Sequence, residues 1–69
     1  MMIPKKGDIW ENHVSGNHIE VTGTYEKDGT TWVTSISAFW SARFEDVTVE
    51  RFVRENRRLL EGRENADAE

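Results

Sequence analysis

The sequence contains no cysteine. Disulfides and every metal site built on thiolates are thereby excluded. That absence suits a cytoplasmic protein, and the cytoplasm is the expected location. No apolar run approaches the roughly 20 residues that cross a bilayer. The opening MMIPKKGD lacks the apolar centre of a secretion signal. Also missing are a nucleophile elbow, a phosphate-cradling glycine loop and a His-Glu metal helix. Asp8 with His13 or His18 can be drawn as an acid–base pair. A chain of 69 residues, however, is not expected to hold a pocket of about 300 Å³. Catalysis and a bound cofactor are therefore not expected.

What is present amounts to one small domain. Apolar residues make up 36% of the chain. Burial at about 25 cal/mol per Å² then roughly cancels chain entropy, so stability is modest and a partner or self-association contributes to it. Charge is uneven. Residues 1–60 hold 8 Lys+Arg against 9 Asp+Glu, a net of -1, whereas residues 61–69 hold 1 against 4, a net of -3. The expected division is a folded domain over 1–60 and an acidic, disordered tail over 61–69.

Local patterns are mostly those of strands. Pro4 and Gly7 precede Ile9 and Trp10, which open a first strand, and Ser15-Gly16-Asn17 supplies turn chemistry. HIEVTGTY alternates, with Ile19, Val21 and Tyr25 on one face and Gly23 leaving a gap there that predicts a bulge or sharp bend. Asp28-Gly29 between two alternating runs predicts a tight type I′ hairpin. TTWVTSIS is the third strand, with Trp32 and Ile36 on one face and Val33 on the other. From Thr30 to Glu45 there is no Gly, Pro, Asn or Asp. That span exceeds a usual strand, so a bend is expected among Ser37, Ala38, Ser41 and Ala42. Thr48 then N-caps a helix whose stripe is Val49, Phe52, Val53 and Leu60, with Leu59 beside it and Gly62 ending it. The predicted fold is mainly β: a small, strongly bent antiparallel sheet or barrel of 4–5 strands closed by one C-terminal helix.

The combination PKKGDIW…SGNHIEVTGTY…TTWV…VTVERFVRENRRL resembles small proteins encoded by bacteriophages and prophages. The likeness lies in Gly7, Asp8 and Trp10, then Ser15-Gly16, Val21-Thr22, and Val49, Arg51 and Phe52. It spans about residues 4–60 and implies an SH3-like barrel and a phage origin. It implies no settled activity and supplies no catalytic residues. The stretch SAFWSA lies outside the pattern.

Three candidate sites follow. Phe39 and Trp40 read either as core, in register with Ile36 and Phe44, or as an exposed anchor for a protein partner, with Arg43 nearby and Tyr25 at its edge. Arg51, Arg54 and Arg58 would line one helix face. With Lys5 and Lys6 they could track phosphates in a Tudor- or KOW-like nucleic-acid binder. Carboxylates at i±4 favour a solvated, salt-bridged face instead: Glu50 with Arg54, Arg51 with Glu55, Arg57 with Glu61. His13 and His18 flank the turn and could face each other, but too few ligands accompany them for a metal site. Trp10 and Trp32 read as core. The leading expectation is a module that binds a protein, either a bacterial host protein whose action it modulates or a second copy of itself as a homodimer. Nucleic-acid binding is the alternative. No membrane association is expected.

Overall fold

The computed structural model describes residues 3–40 and 42–62. Five strands form one antiparallel sheet: β1 (Ile9–Asn12), β2 (His18–Lys27), β3 (Thr30–Ser37), β4 (Val47–Thr48) and β5 (Asn56–Leu60). One short helix, α1 (Val49–Glu55), joins β4 to β5. The strand order is β4-β3-β2-β1-β5. The sheet is therefore open, with β4 and β5 as its edges, and α1 connects those edges covalently. The fold is mainly β, as expected, but closure by a terminal helix is corrected: a strand follows the helix. No helix among the described residues is long and apolar enough to cross a membrane.

The Asp28-Gly29 turn forms as its chemistry requires, with φ of 54° and 78°. Positive φ at both positions matches the twist of the flanking strands. Pairing from Lys27↔Thr30 runs regularly to Gly23↔Thr34 and then shifts, so that Val21 faces Ser35. Thr22 is the extra residue of a bulge. Facing residues share a side of the sheet, so the bulge changes which positions point inward. Ile19 and Val21 face the core before it, whereas Tyr25 pairs with Trp32 on the opposite side after it. The expected common face of Ile19, Val21 and Tyr25 is thus wrong by one parity step, and Gly23 lies beside Thr34 on the outer side.

The core gathers Trp10, Ile19, Val21, Val33, Val49 and Phe52, with Phe44, Val47 and Val53 packed against it. Trp10 meets Phe52 edge to face, centroids 5.0 Å apart at 71°. Trp32 departs from its expected core role. It is only partly buried, on the side away from Val33, and its covered indole nitrogen has no hydrogen-bond partner among the described residues.

Thr48 caps α1 as its position predicts, its hydroxyl accepting from Arg51 N at 3.2 Å. The helix stops seven residues later, well before Gly62. Asn56 is buried, and both its backbone N–H and its side-chain amide, at 2.9 Å, donate to the Phe52 carbonyl, closing the end of the helix. Asn12 donates to the Asn56 Oδ1 at 3.1 Å, and from there the chain pairs with β1. Leu59 and Leu60 are therefore strand residues, exposed instead of lining a helical stripe.

Asp8 fastens the two ends of the domain. Its carboxylate is fully buried and accepts from Lys5 N at 3.0 Å, from the Trp10 indole at 3.2 Å and from Gly62 N. Glu61 pairs with Lys5. The described fold thus continues through Gly62, past the expected boundary at 60. The rest of the predicted tail, 63–69, lies outside the described residues.

Candidate functional site

The loop after β3 carries Phe39 and Trp40, and its base is tied on both sides. Ser37 N donates to the Ala42 carbonyl at 2.8 Å, Phe44 N to the Ser35 carbonyl at 2.9 Å and Ala38 N to the His18 carbonyl at 3.1 Å. The Ser37 hydroxyl accepts from the amides of Phe39 and Trp40 at 3.3 and 3.2 Å. That serine turn folds the tip back on itself. The reversal falls where the small residues predict it, although Ser41 lies outside the described residues. At the tip Phe39 is 71% exposed and Trp40 82%. Neither ring is part of the core, so the core reading is set aside.

Phe39 does not stand alone. Its ring stacks on His18, with centroids 5.6 Å apart and planes at 26°. His18 Nε2 lies 3.8 Å from Glu11, and Glu11 accepts from Arg57 Nε at 3.0 Å. A row of side chains, Arg57, Glu11, His18 and Phe39, thus crosses the outer side from β5 to the tip. From sequence, His18 enters only as a metal-ligand or acid–base candidate. The register Glu11↔His18, implied by a hairpin around the Ser15-Gly16-Asn17 turn, is the signal that could have placed it here.

Tyr25 and Arg43 form a second cluster through Asp46, a residue not singled out from sequence. The Tyr25 hydroxyl donates to Asp46 at 2.8 Å, and Arg43 Nη2 approaches the same carboxylate at 3.2 Å. Arg43 reaches this place because it bridges Ile36 across the base of the loop. The Tyr25 hydrogen bond, then Arg43, holds the Asp46 carboxyl below its ordinary range, and the same bond raises the Tyr25 phenol. Likewise Lys5 lowers Glu61 and is itself raised by it.

These shifts set the signs of a pH prediction. For the two carboxylates the folded value is depressed, so their contribution is present above the unfolded value and lost as pH falls through the folded one. For Lys5 and Tyr25 the folded value is raised, so theirs is lost as pH rises past about 10. None of the four groups is buried, so the effects are small. The urea midpoint of an Asp46→Asn/Glu61→Gln variant should lie below wild type at pH 7. The gap should narrow as pH drops below about 4. A gap unchanged down to pH of about 2 would show that these carboxylates contribute nothing through their charge.

The basic candidates do not form the single helical row expected. Arg51 pairs with Glu55 at 3.3 Å, as the i+4 spacing predicts. Arg57 turns to Glu11 instead of Glu61, because the helix has ended, and Glu61 goes to Lys5. Arg54 sits on α1 and Arg58 on β5, so Arg51, Arg54 and Arg58 do not line one helix. Lys6 is exposed on the N-terminal segment. His13 and His18 do not form part of any group of three or more metal-ligating residues among the described residues. Asp8, drawn from sequence as an acid beside His13 or His18, is sealed and occupied by N–H donors. The expectation of no sizeable pocket is corrected. An open depression of about 500 Å³ is lined by Ile3, Thr31, Thr48 and Glu50 among others. A second, of about 600 Å³, is lined by residues including Glu11, His13, Ser15 and Arg57.

Comparison of the chain with known protein families, curated proteins and solved structures finds no match.

Proposed function

We propose that this protein is a small phage-type, SH3-like binding module that docks a protein partner, a host protein in the bacterial cytoplasm, through Phe39 and Trp40. The observation that carries this reading is the exposure of both rings on a loop whose base is fixed. Burying an exposed tryptophan and phenylalanine removes large apolar areas from water, and aromatic anchors of this kind dominate interface energetics. The Ser37 hydrogen bonds and the His18 stack hold the tip in place before binding, which lowers the ordering cost. Arg43 and Tyr25, locked together on Asp46, offer a polar margin. The carboxylates paired with Lys5, Arg51 and Arg57 weaken the field that a phosphate backbone would feel, so nucleic acid fits this surface less well.

The test is a Phe39→Ala/Trp40→Ala variant beside wild type. Circular dichroism and thermal midpoint should be unchanged, since neither ring is in the core. Affinity for a stoichiometric partner recovered from bacterial lysate should fall at least about a hundredfold, as for two hot-spot side chains. Equal affinity of the variant, or collapse of its fold, would refute the reading. Retention of DNA or RNA at low ionic strength, lost steeply with salt, would favour the nucleic-acid alternative.

A further inference from the structure

On the side of the sheet away from the core, the pairings define a row. Leu60 faces Ile9, Ile9 faces Glu20, Glu20 faces Ile36, and Ile36 bridges Arg43. Facing residues share a side, so these side chains cross β5, β1, β2 and β3 to the base of the aromatic loop. Leu60 belongs to the row because of a bulge. Pairing jumps from Trp10↔Arg58 to Ile9↔Leu60, which leaves Leu59 as the extra residue and turns Leu60 to the side of Ile9. Leu60 is 66% exposed, and Ile9, Glu20 and Ile36 are only partly buried. The helix lies on the other side, where Val49 and Phe52 join the core.

The charges on this side are matched except at one place. Arg57 holds Glu11, and Asp46 holds Arg43. Among the described residues Glu20 has no hydrogen-bond or ion-pair partner. Neighbouring strands lie about 4.8 Å apart, so Ile9 and Ile36 stand roughly 10 Å apart with this carboxylate between them. His18, on which Phe39 stacks, comes two positions before Glu20 on the same face of β2. The row and the tip are therefore one continuous surface. A purely apolar partner covering the row would strip Glu20 of water and supply no counter-charge, which costs more than the pairing of apolar surfaces returns. A partner that brings a cation between apolar side chains matches the row at every position. Guanidinium suits the place better than ammonium, being flat, weakly hydrated and able to grip a carboxylate with two N–H groups.

We propose that the protein partner docked on the aromatic tip also lies across this row and sets an arginine, flanked by apolar side chains, on Glu20. This deepens the tip reading and rests on it.

The test selects random linear peptides, displayed on ribosomes, against the full chain. Enriched sequences should carry arginine between apolar residues, and the most enriched peptide, synthesised, serves as the probe. Its affinity should fall at least about tenfold for Glu20→Gln and further for Glu20→Arg. The same peptide with its arginine changed to glutamate should regain affinity on Glu20→Arg, an outcome that a mere folding defect does not produce. On wild type the probe should shift the methyl NMR signals of Ile9, Ile36 and Leu60, which keeps the test valid if a charge variant misfolds. Peptides that need Phe39 and Trp40 but ignore the charge at position 20 would overturn this inference and leave the tip reading standing. Peptides indifferent to Phe39→Ala/Trp40→Ala would refute the tip reading itself. Enrichment of acidic or wholly apolar peptides, no enrichment, or unmoved methyl signals would each overturn the proposal. So would the same methyl shifts arising on concentrating the protein alone, which would assign the face to a second copy.

Discussion

Replacing Asp8 with alanine should lower stability by roughly 3–5 kcal/mol, a large fraction of what a domain of this size holds. The carboxylate is fully buried, and its charge is met by three N–H groups, those of Lys5, the Trp10 indole and Gly62. Alanine removes the acceptor and leaves three donors in a site closed to water. Each abandoned donor costs about 1–3 kcal/mol, with the lower end applying where the N-terminal segment can move to reach solvent. The thermal midpoint should fall by about 4–8 °C for each kcal/mol lost. Asp8→Asn keeps the shape but turns an amide NH₂ toward one set of donors, so an intermediate loss is expected. Urea unfolding followed by tryptophan fluorescence measures all three proteins. A loss under about 1 kcal/mol for the alanine variant would show that the carboxylate is not what fastens the chain ends.

Gly62→Ala should cost about 2–3 kcal/mol, although it adds a single methyl group. A Cβ at this position would lie 2.6 Å from Asp8 N and 2.7 Å from the Gly7 carbonyl carbon, and closer still to the Lys6 carbonyl oxygen. These are backbone atoms and cannot swing aside as a flexible side chain would. The segment after β5 must move away and give up its bond to Asp8. Because both substitutions break that same bond, the double variant should lose about 1–2 kcal/mol less than the sum of the single losses. Strict additivity in a double-mutant cycle would mean that Gly62 and Asp8 act separately.

Much of the architecture is legible in the sequence because it is local. The Asp28-Gly29 hairpin, the alternation of β2 and β3, and the Thr48 cap all depend on residues within a few positions of one another. What sequence alone misplaces depends on distant partners. Leu59, Leu60 and Gly62 fit a helical stripe and its end. They become strand and latch because Asn56 caps the Phe52 carbonyl and the chain then finds β1 and Asp8, more than 40 positions earlier. Tyr25 reads as inward because alternation foresees a bulge without its parity consequence. For the candidate site, alternation places Trp40 in register with Ile36 and Phe44 equally well as core. Only the hydrogen bonds that reverse the chain at Ser37 decide for exposure. His18 and Asp46, which support Phe39 and gather Tyr25 with Arg43, belong to cross-strand geometry that spacing along one segment does not reveal.

The residue out of step at position 22 separates two properties that most strands inherit together. Val21 faces inward and Gly23 outward, with Thr22 interposed between them and its hydroxyl 2.7 Å from that of Thr34. Excising Thr22 would leave every remaining side chain on its present side, since 21 and 23 would then alternate as ordinary neighbours. The contact with Thr34 would be lost, and with it the local bend and extra twist that a bulge gives a strand. In this chain hydrophobic patterning and the bowing of the hairpin are written in different letters, so one can change without rewriting the other.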